Sequence, residues 1–266
     1  MTSALRWVPL ESNPELFSSW SSSLGLDTTK YEFCDVFGLD DELLAMVPQP
    51  VHAVLLLFPV TEAYEAKRHK DDEGVIESDK PEGDGELLWF KQTIGNACGT
   101  IGLLHALANT SASETLPKDS PLATLFADAR PLAPVDRAAL LQTSKSLAQA
   151  HTQAAASGQT AAPSADDKVD LHFVAFVRHP KTGDLVELDG RRKGPVNRKV
   201  KVEEQKDLLK LATSWIRDNY VGVSLSIPQK LRSLTYSYLY TDGTGPHRGQ
   251  LQPHCSVRGA AMMKQH

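Results

Sequence analysis

The sequence predicts an α+β fold, because helical and extended segments are both clear but do not alternate as a doubly wound parallel sheet would require. Val51–Val60 is an apolar run of strand length bounded by prolines. Ala97–Ala108 is apolar nearly all the way round, the pattern of a helix buried on every side. His172–Val177 and Leu185–Asp189 are two short apolar runs that predict an antiparallel hairpin.

The remaining elements follow in chain order. Arg6–Leu10 reads as a short strand, and Pro14–Leu26 as a helix with Asn13 as its cap and proline at its first position. Tyr31–Leu39 reads as a strand and Asp40–Met46 as a short helical turn. Residues 71–86 are acidic and glycine-containing, the composition of a mobile loop. Val135–Ala150 has a helical apolar stripe, with Leu140, Leu141, Leu147 and Ala148 on one side. Residues 152–168 are small, polar and without period, so a long flexible loop is expected just before His172. Val202–Tyr220 carries Leu208, Leu211, Ala212, Trp215 and Ile216 on one helical stripe. The catalytic unit is expected to span residues 1–225. Residues 226–266 read as an atypical, largely disordered tail, in which Tyr220–Pro228, Thr235–Tyr240 or neither supplies a last strand.

Composition narrows the function. The 266 residues are 41% hydrophobic, enough for a sizeable core, and carry a net charge of −5. That charge gives no basic footprint for nucleic acid. No apolar run reaches membrane-spanning length, and the N-terminus lacks a basic segment followed by an apolar one, so neither membrane nor secretion is expected. Three cysteines at unrelated spacings fit neither a disulfide framework nor a zinc site. The expected setting is a reducing one, the cytoplasm and also the nucleus. The expected state is a monomer without metal or cofactor.

The chemistry concentrates in Gln92-Thr-Ile-Gly-Asn-Ala-Cys98, read with His172 and Asp189. A cysteine attacks as its thiolate, and a helix N-terminus favours that anion. Gly95 and Gly99 are read as leaving room for a substrate backbone. A histidine must supply the base. If a four-residue loop, 179–182, joins the hairpin, Arg178 faces Gly183 and His172 faces Asp189 on one side of the sheet. Asp189 would then fix the imidazole tautomer and stabilise its cation. Gln92 can donate to the oxyanion of a tetrahedral intermediate, together with the Cys98 amide. Taken singly, a cysteine in an apolar helix is usually inert core, and Asp189-Gly190 is usually a turn. His105, two turns along from Cys98, is too far to act as the base and reads as a buried helix residue.

The segment Lys91–Asn109 resembles the active-site segment of the ubiquitin C-terminal hydrolases. Arg6–Glu15, Met46–Pro59, Gly158–Pro163, Val169–Val177 and Leu188–Arg191 are similar to further stretches of that family. The resemblance runs from about residue 5 to about residue 218 and is nearest to the short, single-domain members. It implies a papain-like cysteine peptidase fold, with a central antiparallel sheet flanked by helices and a knotted backbone. It implies thiol hydrolysis of amide, ester or thioester bonds after the C-terminal glycine of ubiquitin, or of a related modifier. Carried over by position, Cys98 is the nucleophile, His172 the base, Asp189 the orienting acid and Gln92 the oxyanion donor. Residues 152–168 become a loop crossing over the site, which restricts leaving groups to small or unstructured ones. Glu11, Asn13 and the acidic 71–86 segment are implied to lie near the groove for ubiquitin's basic tail. A ubiquitin-binding module with impaired turnover, through its altered C-terminus, is the alternative reading.

Overall fold

The computed structural model describes residues 5–75, 87–159, 163–167, 169–221 and 235–241. Its centre is a six-stranded antiparallel sheet in the order β1-β6-β2-β3-β4-β5. The strands are β1 (Tyr31–Val36), β2 (Val51–Pro59), β3 (Leu171–Arg178), β4 (Asp184–Leu188), β5 (Val196–Lys201) and β6 (Thr235–Thr241). The helices are α1 (Pro14–Ser23), α2 (Asp41–Ala45), α3 (Glu62–Asp71), α4 (Cys98–Ala108), α5 (Pro121–Ala129), α6 (Pro134–Thr143), α7 (Lys145–Ala156) and α8 (Leu208–Ile216).

The strand period sorts the core into two layers. Ala53 and Leu55 of β2, with Phe173, Ala175 and Val177 of β3, face a cluster containing Phe17, Trp20, Leu103, Leu107, Leu122 and Leu147. Val54, Leu56 and Phe58, with Val174 and Phe176, face Leu208, Leu209, Ala212 and Ile216 of α8. Burial on both faces explains why β2 reads as an unbroken apolar run rather than an alternating one. α4 belongs wholly to the first layer: every residue from Gly99 to Ala108 is buried.

Several elements differ from those expected. Arg6–Leu10 is not a strand; only Arg6 bridges, in parallel, to Gly95. The stripe over 135–150 belongs to two helices, α6 and α7, broken at Ser144, whose ψ of 103° is extended and whose hydroxyl caps α7. α7 then runs on to Ala156, so the expected loop begins only after it. Val202–Tyr220 is a 3-10 turn (Gln205–Asp207), α8 and a π turn (Arg217–Val221) rather than one helix. The boundary set at residue 225 is displaced as well. Thr235–Tyr240 is the segment that supplies a strand: β6 pairs with β1 on one side and β2 on the other. The remainder of the expected tail, residues 222–234 and 242–266, and residues 76–86 of the acidic segment lie outside the described residues. Among the described residues, no helix is long and apolar enough to cross a membrane.

Candidate active site

α4 starts at Cys98 with no side-chain cap at Ala97, whereas α1, α2, α3, α5 and α7 are capped by Asn13, Asp40, Thr61, Ser120 and Ser144. The first N–H groups of α4 are thereby left to an anion at that end. Asn96, just before it, turns the chain with a φ of 60°, a left-handed conformation that asparagine tolerates. Gly99 and Gly102 bring the helix down onto the sheet: a Cβ on Gly99 would stand 3.1 Å from Leu10 Cβ and 3.4 Å from Phe173. A Cβ on Gly95 would stand 2.9 Å from Arg6 Cγ. These two glycines therefore admit the protein's own side chains, not a substrate backbone as the sequence suggested.

Cys98 is half-buried. Desolvation pushes its thiol up, but the hydrogen bond and charge of His172, with the Phe173 and Gly99 amides, outweigh this and hold it below the ordinary thiol value. His172 is buried, and its Nε2 lies 2.6 Å from Asp189 Oδ1. Burial by itself would lower the imidazole, yet the charge and hydrogen bond of Asp189, and then those of Cys98, raise it to about 9. With Nε2 committed to Asp189, Nδ1 is the nitrogen left to exchange a proton with the thiol.

Asp189 is fully buried. Its Oδ1 also accepts from the Arg191 amide at 2.8 Å, and its Oδ2 from the Tyr64 hydroxyl at 3.2 Å. Desolvation raises its carboxyl, but the charge and hydrogen bond of His172 prevail and bring it to about 2. The pair therefore sits as imidazolium and carboxylate.

The hairpin that joins them has a different register from the expected one. Arg178 faces Leu185 and Ala175 faces Leu188, so continuing the ladder sets Asp189 opposite Val174 rather than His172. The chain needs six residues, 179–184, to turn: the His179 amide bonds Asp184 O, and Gly183 takes a φ of 69°. The displacement is two residues, so both side chains stay on one face and meet diagonally. A shift of one would have put them on opposite faces.

Gln92 is held by its backbone, whose N–H donates to Gly190 O at 2.8 Å. Gly190 is required there, since a Cβ would stand 2.9 Å from Ile101 Cγ2 and 3.0 Å from Gln92 Cβ. The Gln92 amide makes one long bond, Nε2 to Ile94 O at 3.3 Å, and its Oε1 has no partner. It is thus lightly held, beside Cys98. Gln92, Asn96, Cys98, Leu171, His172 and Arg191 line an open cleft of about 450 Å³, with Glu62 and Glu65 among its carboxylates.

The structure thus brings together Gln92, Cys98, His172 and Asp189. Glu11 and Asn13 do not line this cleft; Asn13 Oδ1 caps α1, accepting from Glu15 N at 2.9 Å. His105 is buried, as expected, accepting from Phe90 N at 2.9 Å and donating to Leu188 O at 3.2 Å. The sequence reading missed Tyr64 because it missed α3. The signal was present: Thr61 as a cap, Glu62 and Glu65 in the first turn, and Arg68, His69 and Lys70 in the last. Among the described residues, no group of three or more His, Cys, Asp or Glu side chains is placed to hold a metal.

A thiol at an uncapped helix start, an imidazolium–carboxylate pair and an adjacent amide define a cysteine-type hydrolase. Residues 7–219 match the family described as "Ubiquitin carboxyl-terminal hydrolase, family 1". The chain is 41% identical over 199 residues to "Ubiquitin carboxyl-terminal hydrolase 3" of Arabidopsis thaliana, covering 74% of this chain and 80% of that protein. It is 39% identical over 210 residues to "Ubiquitin carboxyl-terminal hydrolase isozyme L1" of Homo sapiens, covering 79% and 89%. The chain belongs to the ubiquitin carboxyl-terminal hydrolase family. In three dimensions it is similar to the Trichinella spiralis UCH37 catalytic domain bound to ubiquitin vinyl methyl ester, with a TM-score of 0.65 at 20% identity over 89% of this chain and 95% of that one. At that identity the likeness shows the fold.

Proposed function

We propose that this chain is a deubiquitinating hydrolase that cleaves the bond after the C-terminal glycine of ubiquitin through a Cys98 acyl-enzyme. The observation that carries the reading is the geometry: Cys98 at the uncapped start of α4, with His172 held by its Nε2 2.6 Å from Asp189 Oδ1, in one open cleft with Gln92. The Cys98 thiolate attacks the glycine carbonyl carbon. The oxygen that becomes negative is met by Gln92 Nε2 and the Cys98 N–H. His172 gives its proton to the leaving amine or alcohol, and the carbon–heteroatom bond breaks to leave a thioester. His172 then takes a proton from water, which attacks the thioester and releases a carboxylate and the thiol. Asp189 keeps the ring oriented throughout.

Loop residues 163–167 support a limit on leaving-group size. The Ala165 carbonyl accepts from Arg6 Nε and from Asn96 Nδ2, each at 2.9 Å, which fastens the loop beside the nucleophile. Small or unstructured adducts are the proposed leaving groups. Glu62 suits the basic tail of ubiquitin, whereas Glu65 is already paired with Arg68 and Arg191; Glu11 and Asn13 are proposed contacts further out. The proposed state is a monomer in the cytoplasm or the nucleus, where the thiol stays reduced.

Hydrolysis of a fluorogenic amide on the C-terminus of ubiquitin tests the reading. Turnover by the intact chain that vanishes in Cys98→Ala is the expected result. A folded, soluble chain without turnover overturns it.

A further inference from the structure

We propose that Tyr64 is a positioning residue of this site: its hydroxyl fixes Asp189 while its ring, through Phe58, braces His172. The inference rests on the hydrolase reading and adds a residue to it. Tyr64 lies in α3 and is not among the cleft-lining residues. Among the described residues it is the one donor to Asp189 Oδ2, at 3.2 Å; His172 and the Arg191 amide both use Oδ1.

The same ring packs edge-on against Phe58 at 4.7 Å. Phe58 is the cross-strand partner of His172, with the two rings 5.9 Å apart and nearly perpendicular. One side chain therefore constrains both members of the pair. α3 is itself tied to the turn that carries Asp189. Arg68 Nη1 donates to Arg191 O at 3.1 Å, and Arg192 pairs with Asp72 at 2.7 Å. A buried carboxylate oxygen stripped of its donor is costly, so without the Tyr64 hydroxyl Asp189 is expected to rotate away from His172 Nε2. The charged and titratable groups facing this network are Glu187 on β4, Arg191 and Arg192 in the turn, Arg68 on α3, His105 on α4 and Tyr220 after α8. None of them donates to Oδ2.

Tyr64→Phe keeps the ring contact and removes only the hydroxyl. Two readouts are taken on the folded variant: kcat and KM for the fluorogenic ubiquitin amide across pH, and the rate of Cys98 alkylation by iodoacetamide at neutral pH. The expected result is a kcat reduced about tenfold with KM unchanged, an alkaline limb moved toward neutrality, and slower alkylation. Unchanged kcat, limb and alkylation with only a lowered melting temperature overturn the proposal, as does a change confined to KM. Alkylation needs no ubiquitin. If the intact chain shows no turnover, the hydrolase reading fails while the alkylation arm still decides the role of Tyr64.

Discussion

Replacing Asp189 with asparagine removes the charge that holds His172 as a cation and leaves the volume nearly unchanged. In the intact protein the imidazole rises from its ordinary 6.5 to about 9, which corresponds to about 3 kcal/mol, or a factor of roughly 10², in favour of the protonated ring. That net rise combines a burial cost acting the other way with upward pushes from Asp189 and, after it, from Cys98, and Asp189 supplies the larger part of the push. Asparagine adds a second fault. Its oxygen can stay on His172 Nε2 and the Arg191 amide only if its NH2 faces the Tyr64 hydroxyl, which must then turn from donor to acceptor. With the amide flipped, that NH2 meets His172 Nε2 instead and holds the imidazole in the wrong tautomer. The expected loss in kcat/KM on the ubiquitin amide is roughly 10²–10⁴, with the alkaline limb of the pH profile moved down from near 9. Thermal unfolding of the same sample establishes that the fold is kept. A loss below about tenfold with the limb unmoved refutes the reasoning, because the charge would then not be what sets the state of His172.

Three further outcomes are expected. Gln92→Ala lowers kcat by about 10²–10³ with little change in KM; a KM effect alone would assign the amide to substrate binding. Truncation after residue 225 removes β6 from between β1 and β2, so gel filtration and circular dichroism should find no native fold, and a cooperative transition at the intact melting temperature would refute this. Stability should fall as pH drops from about 6.5 to about 4, because His105 and His151, both buried, titrate only near 4 in the folded chain. The sign follows from proton uptake: the unfolded chain protonates these rings first, so acid favours it. Each ring contributes about 3 kcal/mol by pH 4, and His151→Gln should remove about half of the fall in denaturant titrations. An undiminished fall would show that other groups carry it.

The site was legible in the sequence because its parts lie in segments with strong local signals. Cys98 opens the apolar stretch that becomes α4, and His172 and Asp189 sit at the ends of two apolar strands. Face parity needs only the strand period, so the pairing of His172 with Asp189 was correct even though the register was two residues off. The turn chemistry that decides the register is the Gly183 conformation and the His179–Asp184 bond. Neither is visible in an apolar pattern.

Local pattern by itself therefore determined the α+β class, the central strands and the buried nucleophile helix, whereas Gln92, Cys98, His172 and Asp189 were raised by residue type and assigned their roles by the family resemblance. Only the tertiary structure decided that Gly95 and Gly99 receive Arg6 and Leu10, that Tyr64 reaches Asp189 across 125 positions of chain, and that residues 235–241 close the sheet between strands 31–36 and 51–59. The physical reason is range. Periodicity and capping report forces between residues a few positions apart. Close packing, carboxylate satisfaction and strand insertion are contacts between distant segments, and a single sequence carries no local mark of them.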